Sequence, residues 1–350
     1  MILLLDKTAP EGADRELLGL AARLGLPGRL LTGSWGRQAV EVDDPVPSRA
    51  QRIFRASAHV EEILDRLTAT PLSDAGGEDV VTPVHVGDLV VGGDELVLAA
   101  GPCAVESEEQ VEAAARAAAR AGARLLRGGA YKPRTRPGDF QGLGLEALRW
   151  LRESADRHGL KVVTEALDPA SCGEVAALAD VIQIGARTMQ ATALLKAAAR
   201  AGRPVLLKRG LSATLEEWLG AAEYLLQGGA PGVILCERGS RSFETATRFT
   251  LDVGVLAAAR LRTHLPILAD PSHPAGRRDL VRPLARAALA AGADGLLVEA
   301  HPDPSCARCD GPQALLLDEL SLLAQEMGAI GDAVGRRFGG PRAARAAAGG

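Results

Sequence analysis

The chain has 350 residues, 47% of them hydrophobic and 24% charged, with a formal net charge of -4. That composition suits a globular protein of two domains, or of one barrel plus a smaller unit, and its acidic balance excludes a general nucleic-acid binder, which needs a basic face. The first charge falls at Asp6 and no later apolar run approaches the roughly 20 residues of a membrane span, so a cytoplasmic protein without membrane contact is expected.

The first elements alternate in type. ILLLD reads as a strand, ADRELLGLAARLG as a helix, GRLLTG and QAVEVD as strands and HVEEILDRL as a helix, with a short strand after it. This order predicts a ferredoxin-like α+β unit over residues 1–75. Such a unit has little core of its own and must dock on a neighbour. Residues 76–95 contain VTPVHVGDLVVGGDE, a linker and β-hairpin turning at Gly-Asp, expected to cover the bottom of the larger domain that begins at residue 96.

From residue 96 a β-rich run, a loop and an alanine-rich helical stretch recur. The runs are LVLAAGPC, RLLRGG, KVVTEA, DVIQIGAR, PVLLKRG, GVILCERG, PILADPSH and GLLVEAH, eight in all. Eight units predict a (β/α)8 TIM barrel over 96–328, with an open doubly wound sheet as the alternative, and a flexible tail over 329–350. Barrel strands converge at their C-terminal ends, where active sites are built. Here those ends carry Cys103, Arg127, Glu165, Arg187, Lys208, Arg238, His273 and Glu299.

Basic loops are commonly solvated surface, and RGGAYKPRTRPG taken alone reads so. Arg127, Lys132, Arg134, Arg187, Lys208 and Arg238 facing one mouth read differently, because clustered cations call for anions between them. Two anionic ligands are implied, at least one phosphorylated. Cys103, His273 and Glu299 sit on strands that adjoin once a barrel closes, and Asp310 comes after the last. Singly they read as a packing thiol, a loop hydrogen bonder and an ion-pair partner. Together they form a donor set for a divalent ion such as Mn, Fe, Co or Zn. Cys306 and Cys309 lack the second pair that a structural zinc needs, and Cys309 near the mouth is a candidate disulfide partner for Cys103.

AGPCAVES, LRGGAYKPRT, FQGLG, IQIGAR, LLKRG, CERG, DPSH, VEAHPDP and CDG, in this order, resemble the 3-deoxy-D-arabino-heptulosonate 7-phosphate (DAHP) synthases, in their short microbial type with an N-terminal ferredoxin-like domain. The resemblance covers about residues 80–325. It implies the first step of the shikimate pathway, a metal-dependent condensation of phosphoenolpyruvate with erythrose 4-phosphate.

By motif it implies Cys103, His273, Glu299 and Asp310 as metal ligands, and Arg127, Lys132, Arg187, Lys208 and Arg238 as holding phosphoenolpyruvate. Arg134 and Thr135 of KPRT would reach the erythrose phosphate. Lys132 is the candidate proton donor and Glu165 the candidate for orienting water. The related 3-deoxy-octulosonate 8-phosphate synthases, with a KANRS-like segment in place of KPRT, are the alternative, as are an aminoshikimate-type homologue and a sugar-phosphate-sensing regulator. The resemblance also implies a homo-oligomer, a dimer or tetramer, and an N-terminal unit that binds an aromatic amino acid effector. The chain's own 3% aromatic content leaves few rings for a stacking pocket.

Overall fold

The computed structural model describes residues 1–6, 8–31, 38–43, 45–64, 70, 72–75, 81–134 and 136–339. Thr135, expected at the erythrose phosphate, lies outside the described residues.

The N-terminal unit comprises β1 (Ile2–Leu5), α1 (Ala13–Arg23), β2 (Gly28–Leu31), β3 (Ala39–Val42), α2 (Ser48–Arg55) and β4 (Val60–Leu64). Its antiparallel sheet runs in the order β2-β3-β1-β4. Alternation along the strands divides the two faces. Leu3, Leu5, Val40 and Val42 pack with Leu17, Ala21 and Phe54 of the helices. Ile2, Leu4, Leu31 and Ala39 join the large core of the rest of the molecule, which is how so small a unit is stabilised.

One expectation is overturned here. The stretch beginning HVEEIL forms β4, paired with β1, and not a helix. The second helix lies earlier, where Ala50 and Phe54, four residues apart, are buried together. Edge pairing with β1 outweighed the helical propensity of the glutamates.

β5 (Val84–Val86) and β6 (Leu89–Val91) form the expected hairpin. Val84, Val86, Leu89 and Val91 pack against Val97, Leu125, Val163, Val181 and Leu206, which stand at or near the starts of barrel strands. Asp88 at the turn pairs with Lys161 at 3.0 Å and Arg124 at 3.1 Å.

The barrel strands are β7 (Val97–Gly101), β8 (Leu125–Arg127), β9 (Lys161–Ala166), β10 (Val181–Ile184), β11 (Val205–Lys208), β12 (Val233–Glu237), β13 (Ile267–Ala269) and β14 (Gly295–His301). Every neighbouring pair is parallel, and β14 pairs with both β13 and β7, closing eight strands into a ring. Helices α3 (Glu108–Arg120), α4 (Leu145–Arg157), α5 (Pro169–Leu178), α6 (Thr192–Arg200), α7 (Leu215–Gln227), α8 (Val253–Arg262) and α10 (Arg278–Ala290) lie between the strands, with a one-turn α9 (Ser272–Ala275) after β13.

After β14 come a 3-10 turn (Gly311–Gln313), the short β15 (Leu315–Leu316) and α11 (Glu319–Ala333). The tail expected from residue 329 therefore starts too early. Buried Met327 and partly buried Ile330 hold the end of α11 on the core, and Leu96 N–H donates to Arg337 O at 2.7 Å.

Candidate active site

Several expected strand-end residues stand just beyond their strands. Cys103, Arg187 and Arg238 come after β7, β10 and β12, and His273 lies on α9 because β13 stops at Ala269. Glu299 lies within β14 itself. One mouth still gathers most of them: a single pocket is lined by Arg127, Lys132, Arg134, Glu165, Arg187, Lys208, Arg238, His273 and Asp310, together with Gln183, Arg248 and Cys309, while Cys103 and Glu299 are buried beside it.

The local chain explains how Lys132 enters. Tyr131 bridges Gly142, and Lys132 N–H donates to Gln141 O at 2.9 Å, so the basic loop folds back on itself. A Cβ on Gly129 would lie 2.5 Å from Lys132 Cδ and 2.8 Å from Cys103 O. Glycine at that place lets the lysine cross to the thiol, with Nζ 3.2 Å from Cys103 Sγ. Gly185 does the same for Glu165, whose Oε1 would stand 1.9 Å from an added Cβ. Gln183, beside it in register, donates from Nε2 to Glu165 Oε2 at 3.3 Å.

The six cations do not share one electrostatic situation. Arg127 is buried and donates to Glu299 Oε1 at 3.0 Å and Pro102 O at 2.9 Å. Lys208 is buried against Asp270 at 2.5 Å. Arg134 pairs with Asp139 at 3.6 Å and reaches Cys309 Sγ at 2.7 Å. Arg187 is exposed, without an ion-pair partner among the described residues. Arg238 is 5% exposed and, among the described residues, donates only to Gly239 O at 3.5 Å, with its guanidinium 4.6 Å from the Phe249 ring centroid. Burial lowers the Arg238 pKa; the charge of Asp270 works against this, while those of Arg248 and Arg187 add to the lowering. A buried guanidinium among other cations, which Asp270 acts on without a direct ion pair and which has no salt-bridge partner among the described residues, is the setting that an anionic ligand relieves.

The expected metal ligands fall into two overlapping groups that share Asp310. One is His273, Glu299 and Asp310, the other Cys103, Cys309 and Asp310, each with donor atoms within 4.8 Å of one another. His273 Nε2 lies 3.4 Å from Glu299 Oε1 and 3.7 Å from Asp310 Oδ2. Its Nδ1 lies 2.6 Å from Asp270 Oδ2. The carboxyl of Asp270 is held well below its usual range: burial raises it, but His273 and Lys208 outweigh burial. An ionised carboxylate only accepts, so Nδ1 carries the proton and Nε2 offers its lone pair to the centre of the group.

Burial also pushes the His273 imidazole down, past the opposing pull of Asp270 and Glu299, which favours the neutral, ligating form. Burial raises Asp310, yet His273 and Arg248 bring it to about 2. Contact with Cys309, and then burial, drive the Cys103 thiol well up, while the same contact holds Cys309 down. One imidazole, two ionised carboxylates and a thiol suit a first-row divalent ion.

Sequence reading missed Asp270, Arg248 and Gln313. Asp270 opens the DPSH motif and Gln313 lies in CDGPQ, so both were in view without a chemical signal. Arg248 stands in a stretch, SRSFETATRF, that offers no motif. Cys309 had been seen as a partner for Cys103, and its sulfur lies 3.1 Å from that of Cys103.

Residues 73–334 match the family model described as the DAHP synthetase I family. A phospho-2-dehydro-3-deoxyheptonate aldolase of Thermotoga maritima is 50% identical over 254 residues, covering 73% of this chain and 75% of that protein. A 2-dehydro-3-deoxyphosphooctonate aldolase of Desulfotalea psychrophila is 32% identical over 275 residues, covering 71% of this chain and 96% of that protein. The crystal structure of the Thermotoga maritima DAHP synthase superposes with a TM-score of 0.75 at 42% identity, covering 96% of this chain and 98% of that one. A truncated form of the synthase from the same organism gives a TM-score of 0.72 at 45% identity, covering 77% of this chain and 99% of that one. The closed eight-stranded barrel and these matches together show that the chain belongs to the DAHP synthetase I family.

Proposed function

We infer that this chain condenses phosphoenolpyruvate with erythrose 4-phosphate and water to give DAHP and inorganic phosphate, in the cytoplasm and as a homo-oligomer. The observation that carries the ligand chemistry is Arg238, a buried cation with no direct ion pair among the described residues, in the same pocket as His273 and Asp310.

Phosphoenolpyruvate is held by Arg238 and Arg187, with Lys132, Lys208 and Arg127 completing the cationic wall. Arg134, and Thr135 beside it in sequence, take the phosphate of the aldehyde. Cys103, His273, Glu299 and Asp310 hold a divalent ion of the Mn, Fe, Co or Zn class. When bound, that ion supplies Lewis-acid polarisation of the aldehyde carbonyl.

The remaining steps belong to side chains. Phosphoenolpyruvate C3 attacks the aldehyde carbon, and the oxygen that gains the electron pair takes a proton from Lys132 Nζ. The pKa of Lys132 is raised: burial lowers it, and the Cys103 and Cys309 sulfurs more than compensate. A protonated donor is therefore present at neutral pH. Water adds at C2, losing one proton to Glu165; the C2–O bond to phosphate then breaks, phosphate leaving with the bonding electrons while the C2 hydroxyl gives up its proton and becomes the ketone. Glu165 is positioned for this by Gly185 and Gln183 on the neighbouring strand.

The N-terminal unit is proposed to bind an aromatic amino acid and to lower activity. For the barrel, the test is phosphoenolpyruvate consumption by chelator-stripped protein, with and without Mn2+, supplied with erythrose 4-phosphate or arabinose 5-phosphate. Metal-dependent turnover with the four-carbon aldehyde alone is expected. Preference for arabinose 5-phosphate would replace the substrate assignment with that of the octulosonate enzymes. Full turnover in the stripped protein would remove the metal.

A further inference from the structure

The geometry points to Gln313 and Arg248 as positioning residues: we propose that they form a relay fixing which oxygens of Glu299 and Asp310 face the metal. This rests on the metal-dependent reading above and extends it to residues without a ligand role.

Gln313 is 2% exposed and lies on the 3-10 turn directly after Asp310. Its Nε2 donates to Glu299 Oε2 at 2.6 Å, and its Oε1 accepts from Arg248 Nη1 at 3.0 Å. The same Arg248 nitrogen donates to Asp310 Oδ1 at 3.1 Å. Each carboxylate thus has one oxygen tied to the relay. The others, Glu299 Oε1 and Asp310 Oδ2, lie 3.4 Å and 3.7 Å from His273 Nε2. The relay fixes Glu299 Oε2 and Asp310 Oδ1 and turns the other two oxygens toward the donor group, where Glu299 Oε1 also accepts from Arg127 Nη1 at 3.0 Å.

Residue types agree with this sorting. A carboxamide donates at one end and accepts at the other, so Gln313 satisfies a carboxylate and a guanidinium at once. Glutamate there would set two buried carboxylates against each other, and an apolar residue would leave Glu299 Oε2 without its donor. Asp310 adds a backbone reason. It sits at φ 52, the one left-handed non-glycine residue among those described, a backbone placement that costs free energy and persists only where neighbouring contacts hold the turn.

Arg248 comes from the segment after β12, closed by the Ser240–Thr250 bridge and tied to α9 by Phe249 N–H donating to Pro274 O at 3.1 Å. The segment carrying Arg238 and Arg248 therefore reaches the ligands Glu299 and Asp310 through one guanidinium. Outer partners of this kind commonly contribute about 10- to 100-fold in metal affinity.

The test uses the full chain with Co2+ as the probe. Affinity is read by competition with a chromogenic chelator, the ligand field by the visible spectrum, and metal-free stability by thermal unfolding. Gln313→Met is expected to weaken Co2+ binding about 10- to 100-fold and to alter the visible bands. Arg248→Met, at a partly exposed position, is expected to weaken binding while leaving metal-free unfolding in place, and so serves if Gln313→Met folds poorly. Loss in the double variant should fall short of the product of the single losses, since both act through one relay. Wild-type binding with unchanged affinity and spectrum in both variants would overturn the proposal alone. No Co2+ binding by the wild-type protein would remove the metal reading, and the relay with it.

Discussion

Arg127 and Arg238 carry the same charge into the same mouth, yet the first is neutralised by Glu299 at 3.0 Å, whereas the second makes no direct ion pair among the described residues and hydrogen-bonds to a carbonyl oxygen. Residue type was legible in the sequence because motifs such as RGG, KRG and DPSH announce chemistry at strand ends. Partnership was not, because it depends on which side chains from distant strands meet. Gln313 and Asp270 illustrate this: neither is unusual in sequence, and each acquires its meaning from a residue on another element. Cys103 and Cys309, 206 positions apart, give a residue-scale prediction. Peroxide would join the two thiols as a disulfide with release of two waters, and Cys103 would no longer be free to hold the ion. Metal-free protein treated with one equivalent of peroxide should lose two of its five free thiols, counted after denaturation, and most of its Co2+ capacity. Cys309→Ser should keep its remaining thiols and its capacity. An undiminished thiol count in the wild-type protein would sink the idea.

The link between the N-terminal unit and the barrel shows what pattern reading handles less well at the element scale. The eight barrel strands were legible because period and punctuation repeat, whereas β4 was misread because an edge pairing overrode its local preference. The clasp between residues 72–75 and α7 gave no signal at all. There Glu223 Oε1 accepts from Leu72 N–H at 2.6 Å and Ser73 N–H at 2.9 Å, while Oε2 is buried without a partner among the described residues. Burial raises this carboxyl to about 7, beyond what the two backbone donors recover, with Asp74 adding to the rise. Because the folded value exceeds the ordinary 4.5, the stabilisation tied to protonation is complete below pH 4.5 and is lost as pH rises through 7. The shift corresponds to at most about 3 kcal/mol. Glu223→Gln, which cannot ionise, should gain stability relative to wild type by up to that amount between pH 4.5 and pH 8. Chemical denaturation of both proteins across this range checks it, and a constant difference would contradict it.

At the scale of the molecule, the question is how far the barrel depends on the unit in front of it. Ile2, Leu4, Leu31 and Ala39 share the barrel's core cluster, and Arg29, Leu30 and Leu31 of β2 border the same cleft as Lys196 and Arg200 of α6 and Tyr224 of α7. Contact is therefore made from the outer helices, away from the mouth. The ring of strands closes on itself, the hairpin plugs its lower end, and α11 returns to Leu96, all within residues 81–339. Among the described residues, none of the charged or candidate metal-binding side chains of the pocket comes from the first 75 residues. A chain starting at Thr70 keeps the Glu223 clasp and should fold, bind Co2+ as the full chain does and turn over with a kcat of the same order. Its thermal stability should fall, because the faces of α6 and α7 covered by β2 become exposed. Any inhibition of the full chain by tyrosine or phenylalanine should disappear in the shortened one. Retained inhibition would move the effector site into the barrel, and an insoluble or metal-free product would mean that the N-terminal sheet completes the barrel's core.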